Sequence, residues 1–258
     1  TIIGTAVGGV DNLGIVLGQS KFGIDVDVPN MRYAAYARCP RLGGTAISFN
    51  EQAIRALPGV LDAFILAPDA RTGQSSMSFL DGLAALQGGV AIVGEDTWSV
   101  LNAKSQLIVV WDESEASSDS WPEMKIEAQR LARTSVGEVK RDQPVETPLA
   151  DPDNKVLEAF YEFPYVAHVC MEPMNCFAHV TADKAELAAP IQVAEFIEKT
   201  ISARIGLPVD KIDIEFTRMG GGFGRRAYPH FMVEAAIISQ KMNLPIKLIY
   251  SREDDMSY

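Results

Sequence analysis

Four glycines in five positions, Gly220-Gly221-Gly222-Phe223-Gly224, limit the fold of this chain more than any other feature. Glycine has no Cβ to hold a ligand away from the backbone, and it takes positive φ without steric cost. Ahead of the glycines, Ile212, Ile214 and Phe216 alternate with Asp213, Glu215 and Thr217, a period of two that predicts a strand. Behind them, Phe231, Ala235, Ile238 and Met242 recur at helical spacing, and Pro229 stands near the helix start, where a missing N–H costs little. A glycine loop therefore joins a strand to a helix N-terminus, flanked by Arg218, Arg225 and Arg226. Amides and the helix dipole at such a place favour an anion or an electron-rich oxygen. The loop is neither a Rossmann fingerprint, since Arg225 stands where the third glycine belongs, nor a P-loop, since no Gly-Lys-Ser/Thr follows. The same pattern also fits a tight structural turn with arginines on the surface.

Composition narrows the class. The net charge of −11 disfavours nucleic acid and anionic membranes as main partners. Three cysteines (Cys39, Cys170, Cys176) without a C-x-x-C pair disfavour a disulfide framework, a zinc site or a self-contained iron–sulfur site. No apolar run approaches the ~18 residues of a membrane span. The chain begins at Thr1 and stops at Tyr258 soon after a strand-like segment, and it reads as a piece of something longer.

Taken in order, the first 111 residues alternate short strands and helices. Strands are expected at Phe22–Val28, Tyr33–Arg38, Val60–Leu66 and Val90–Val93, with a buried one at Leu107–Trp111. A capping box at Ser48 and Glu51 opens a short helix that Pro58-Gly59 ends, and Thr97–Ala103 is a second helix. Residues 68–79 read as loop. Residues 112–154 form a polar connector carrying one helix, from the Ser120/Glu123 capping box to about Arg133. Residues 155–258 form a second region. It has a strand at Val156–Phe163, an irregular segment at 168–175, and a helix opened by Gln192 with Phe196, Thr200 and Ile201 on one face. The glycine-loop unit follows, and then a strand at Ile246–Tyr250.

The second region resembles the large, molybdenum-binding subunit of the xanthine oxidase and aldehyde oxidase family, and most closely its isoquinoline 1-oxidoreductase branch. Tyr165-Val166-Ala167-His168-Val169-Cys170-Met171-Glu172-Pro173-Met174-Asn175, Pro190-Ile191-Gln192, the loop Met219–Arg226 and the tail Pro245–Met256 carry the resemblance. Residues 1–111 are similar to the family's α/β-hammerhead domain, through Phe22-Gly23-Ile24-Asp25-Val26, Tyr33-Ala34-Ala35, Arg38-Cys39-Pro40 and Leu57-Pro58-Gly59-Val60. The resemblance implies an α+β fold: a hammerhead domain (1–111), the connector (112–154) and the truncated start of a molybdopterin-binding domain (155–258).

It also implies chemistry. The cofactor would be molybdopterin cytosine dinucleotide, whose dithiolene holds molybdenum without protein side-chain ligands. [2Fe-2S] clusters would sit on a small partner subunit and receive the electrons. The substrate would be an N-heteroaromatic compound or an aldehyde, oxidised with oxygen from water. By position, Gln192 would contact the metal's oxo ligand, and Gly220, Gly221, Gly222, Phe223, Gly224, Arg225 and Arg226 would bind the cofactor, with the Gly224 N–H near an oxygen ligand. His168 and Glu172 read as structural, and the general base would lie in the remainder of the large subunit. Two departures stand out. Ala227 occupies the place of the xanthine-type substrate glutamate, and Leu187-Ala188-Ala189 stands where the family has Trp and Thr before the glutamine. Export by the twin-arginine route would place the enzyme in the periplasm, the alternative being the cytoplasm. A scaffold of the same fold that binds a partner and no cofactor is the competing function.

Overall fold

The strand expected near the amino end of the chain and the one expected near its carboxyl end lie side by side. In the computed structural model, which describes residues 2–69, 86–134, 146–193 and 197–257, β1 (Arg32–Arg38) pairs in parallel with β9 (Ile246–Ile249). Around this pair a seven-stranded sheet forms. On one side of β1 come β4 (Gly89–Gly94) and then β3 (Val60–Leu66), both antiparallel to their neighbours. On the other side of β9 come β6 (Asn175–Val180) and β7 (Ala185–Ala189), again antiparallel, and finally β8 (Ile212–Phe216), parallel to β7. A separate antiparallel pair joins β2 (Thr45–Phe49) to β5 (Val109–Asp112). The helices are α1 (Asn12–Val16), α2 (Glu51–Arg55), α3 (Thr97–Ser105), α4 (Trp121–Thr134), α5 (Glu146–Ala150), α6 (Ile197–Ile205), α7 (His230–Met242) and α8 (Arg252–Ser257). The mixture agrees with the α+β class. The chain divides into one unit of Thr1–Ser117 with Ala167–Tyr258, and a second of Ser118–Val166.

The period of two decides which residues meet. Ala34 and Tyr36 of β1, Ala91 and Val93 of β4, and Ile246 and Leu248 of β9 face one large apolar cluster. Phe231, Ala235 and Ile238 of α7 and Ile197 and Ile201 of α6 fill the same cluster. The intervening Ala35 and Ile92 face the other way, onto Ile54, Val100 and Ala103 of α2 and α3. The helix ends follow local chemistry. The Asp96 carboxylate accepts the Ser99 N–H at 2.7 Å to start α3, and Asn243, at φ +52°, stops α7.

Four local expectations change. Phe22–Val28 is no strand, because other groups take its backbone polar atoms. Asp25 accepts the Phe22 N–H, Glu172 accepts the Ile24 N–H, and buried Lys247 donates to the Ile24 and Val26 carbonyls. Ser48 lies inside β2, and Asn50 holds the N-cap of α2. The 107–111 strand is half exposed and starts at Val109. Lys155–Val166 forms no strand, and its backbone has no hydrogen bond among the described residues. Strands β6 and β7 lie where no strand was expected: Ala178, Ala185, Ala188 and Ala189 are buried in a sheet covered on both faces, which erases the polar alternation. Ser120 stands just ahead of α4 as expected, and its hydroxyl donates to the Glu123 carboxylate at 2.9 Å, a side-chain bond and not the side-chain-to-backbone pair of a capping box. Most of the 68–79 loop, and Phe196, lie outside the described residues.

Candidate functional site

The loop between β8 and α7 is fastened from behind by two side chains. Glu172 comes first. Its N–H donates to the Gly220 carbonyl at 3.1 Å, and its Oε2 accepts the Gly220 N–H at 2.7 Å. Its Oε1 accepts from the Ile24 N–H and from Asn175 Nδ2, each at 2.9 Å. A carboxylate so engaged works as a clamp. The approach is close enough that a Cβ on residue 220 would stand 2.4 Å from the Glu172 Cβ, which is why only glycine fits.

Arg226 is the second fastener, and it is wholly buried. Its Nε donates to the Gly221 carbonyl at 2.8 Å, and its Nη atoms donate to the carbonyls of Glu172 (2.5 Å) and Pro190 (3.4 Å). Three chain segments thus converge on one guanidinium, a fork geometry that lysine cannot reproduce. Burial pushes its pKa down, while the Glu172 carboxylate 3.5 Å away pulls it back up.

Gln192 lies on the front. Its N–H donates to the Arg226 carbonyl at 3.0 Å, and its Oε1 accepts the N–H groups of Gly224 (3.0 Å) and Arg226 (3.2 Å). The Gly224 amide is therefore engaged by Gln192. The exposed Gln192 Nε2, which has no hydrogen bond among the described residues, is the open donor. Beside it, Gly224 adopts φ +92° with nothing within 4 Å of where a Cβ would be, so the backbone conformation alone demands glycine. Phe223 is held at φ +53° with 76% of its surface exposed. A bulky residue in the left-handed region costs about 1–3 kcal/mol, and such strain gathers at ligand clamps. The face thus offers an unpaired amide donor, an exposed aromatic ring and open space over a glycine. Cys170 packs beneath, with its Sγ 3.6 Å from the Gly222 carbonyl, and His168 is exposed.

Arg225 points elsewhere. It lines a cavity of about 270 Å³ with Arg38, Cys39, Tyr228, His230 and Glu234. Its Nη1 is 3.2 Å from His230 Nε2, and its Nε is 4.0 Å from Asp255 Oδ1. Burial lowers the His230 pKa well below the usual imidazole range, reinforced by the cations of Arg38 and Arg225. The neutral ring then accepts from Arg225. Burial also raises Glu234 to about 7, opposed by the Arg38 cation, whose Nε donates to Glu234 Oε1 at 2.7 Å. Tyr250 donates its hydroxyl proton to the other Glu234 oxygen at 2.7 Å. Sequence reasoning did not connect Arg38, His230 and Tyr250, because they come from β1, the start of α7 and the end of β9. Among the described residues no cluster of His, Cys, Asp and Glu could hold a metal ion.

Comparison with known proteins shows what the chain is similar to. Residues 127–258 match the family described as the molybdopterin cofactor-binding domain. The chain is 28% identical over 253 residues to isoquinoline 1-oxidoreductase subunit beta of Brevundimonas diminuta, covering 93% of this chain and 29% of that protein. It is 25% identical over 245 residues to the membrane-bound aldehyde dehydrogenase [pyrroloquinoline-quinone] of Gluconacetobacter polyoxogenes, covering 93% of this chain and 30% of that one. The fold is similar to that of quinoline 2-oxidoreductase from Pseudomonas putida 86. The TM-score is 0.71 at 18% identity, over 98% of this chain and 35% of that one. The chain spans about a third or less of the length of these relatives.

Proposed function

The chain belongs to the molybdopterin cofactor-binding domain family, as a molybdenum-binding subunit of the xanthine oxidase type, and on that premise we propose that it is part of a longer hydroxylase large subunit. The enzyme would oxidise an N-heteroaromatic compound or an aldehyde with oxygen from water and pass the electrons to an iron–sulfur small subunit. Residues 1–111 would be its hammerhead domain, 112–154 its connector and 155–258 the start of its cofactor domain. The β1–β9 pairing would then be the seam between the first and the last of these.

The observation that carries this reading is the front of the glycine loop. There Gln192, whose Nε2 has no hydrogen bond among the described residues, holds the Gly224 amide, the neighbouring Phe223 ring is exposed, and the space over Gly224 is open. These features fit a molybdopterin cofactor: a fixed donor suits an oxygen of the bound group, and a bare glycine backbone admits it closely. When bound, the cofactor supplies the redox chemistry of oxygen insertion. Gln192 would hold an oxygen of the cofactor, and Phe223 would close one side of the site and keep water off it. Gly220, Gly221 and Gly222 shape the loop, and Glu172 and Arg226 brace it from behind. Arg225 lines the separate cavity beside His230, so it would meet the cofactor only if the dinucleotide end enters there, the cytosine form being our choice. The general base would come from outside residues 1–258. We place the enzyme in the periplasm.

The test is elemental mass spectrometry on the full-length gene product, purified from its own host with the chains that accompany it. The expected result is about one molybdenum per large subunit, as for a cofactor held at a single site. A folded product made with ample molybdate and carrying none would overturn the proposal. A scaffold role would then stand if nothing is bound, or a quinone enzyme if a quinone is found.

A further inference from the structure

From Lys155 to Val166 the chain forms neither helix nor strand, and among the described residues none of its backbone N–H or C=O groups is hydrogen-bonded. Its side chains follow a strand's period of two. Leu157, Ala159, Tyr161, Phe163 and Tyr165 fall on one face, while the other carries Val156, Glu158, Phe160, Glu162, Pro164 and Val166, with Pro164 offering no N–H near the end of the segment. Leu157 is 92% exposed, and Phe163 and Tyr165 are each 78% exposed. The unit that contains this ribbon, Ser118–Val166, has no buried residue among those whose burial is described. Helix α4 meets the ribbon at two side chains: Trp121 meets Tyr165 edge-to-face at 5.5 Å, and Lys125 pairs with Glu162 at 2.6 Å. A ribbon with bare hydrogen-bonding edges and apolar side chains on both faces has the chemistry of strand addition.

We propose that residues 156–166 are a β-strand whose sheet is completed by a strand of the same polypeptide lying outside residues 1–258. This rests on the proposal that the chain is part of a longer subunit. In a subunit the size of the Brevundimonas relative, of which this chain covers 29%, most of the polypeptide lies elsewhere. The face of Leu157, Tyr161, Phe163 and Tyr165 is apolar throughout and calls for a permanent cover, which the rest of so long a polypeptide can supply, while Glu158 and Glu162 mark the other face as the more polar one. An intrachain strand is also present at fixed stoichiometry and needs no encounter.

Hydrogen–deuterium exchange on the full-length large subunit tests this, read on peptides spanning 156–166, with and without its partner chains. Protection of at least about 100-fold over unstructured rates is expected in the large subunit alone, unchanged by partner chains and independent of concentration. Tyr161→Pro, which removes a central N–H, should abolish that protection locally while distant peptides keep theirs. Exchange at unstructured rates would overturn the inference. So would protection that appears only with a partner chain, or that grows with self-association, or a gene product that ends at Tyr258. Protection in a molybdenum-free subunit would sustain it, so its fate is separable from that of the cofactor proposal.

Discussion

The glycine loop and the 156–166 ribbon differ in where their backbone polar groups go. In the loop, Gly220, Gly221 and Gly224 each hand a backbone group to a buried or braced side chain of Glu172, Arg226 or Gln192. In the ribbon no such partner exists among the described residues, and the apolar side chains are exposed. Neither segment belongs to a helix ladder or a sheet, yet only the loop has its backbone groups taken up by side chains. Irregular backbone is stable when side chains take over the role of a ladder, and without them it waits for one.

The sharpest way to break this comparison is to remove a brace. Arg226→Ala leaves three carbonyls without their donor and the Glu172 carboxylate without its buried cation. Breaking a buried pair from one side costs about 3–5 kcal/mol, and Arg226→Lys should recover only part of it. Tyr161→Ser in the ribbon, measured in the same 258-residue chain, should change stability by less than about 0.5 kcal/mol, as exposed sites do. Urea denaturation compares the two. Equal costs would mean that the ribbon is already packed, and the distinction between the segments would fail.

Much of the loop was legible in the sequence for a physical reason. Close approach and positive φ both select glycine, and Gln192 and Arg226 lie within motifs that resemble a known family. The period of two gave β1, β3, β8 and β9, and the helical period gave α7. What could not be read was long-range. That Arg225 and Arg226 would turn to different partners depends on segments near residues 172, 190 and 255, and adjacent arginines look alike in a sequence. Strands β6 and β7 were hidden by their buried alanines. The Phe22–Val28 and Val156–Phe163 patterns looked alike as well. One is diverted by Asp25 and Lys247, and the other lacks a sheet to join.

A second prediction sharpens the comparison through pH, because among the described residues the buried titrating groups belong to the unit that holds the loop. Glu234, raised by burial from 4.5 to about 7, binds its proton more tightly folded than unfolded. Its contribution is therefore fully present below pH 4.5 and lost as pH rises toward 7, by at most roughly 3 kcal/mol. His230 has the opposite sign: its depressed pKa removes stability as pH falls below 6.5. Subtracting the stability profile of Glu234→Gln from that of the native protein cancels the His230 part. The difference should fall between pH 4.5 and 7 and be flat above. A flat difference throughout would show that Arg38 and Tyr250 keep Glu234 ionised at all these pH values.

The smallest expected effect separates two glycines within the loop itself. Gly224 needs its positive φ and nothing else, since the space around a Cβ there is open. Gly224→Ala should cost about 1–2 kcal/mol, the left-handed penalty for a residue with a side chain. Gly220→Ala meets the Glu172 Cβ at 2.4 Å and must push the clamp aside, so its cost should be larger by a kcal/mol or so. Denaturation of the two variants ranks them, and the molybdenum content of the full-length subunits adds an independent reading. A methyl on residue 224 intrudes on the front face, where the cofactor is proposed to sit, whereas one on residue 220 disturbs the back. Gly224→Ala should therefore lose metal out of proportion to its small loss of stability. If metal loss simply tracks stability in both, the open space over Gly224 is not where the cofactor approaches.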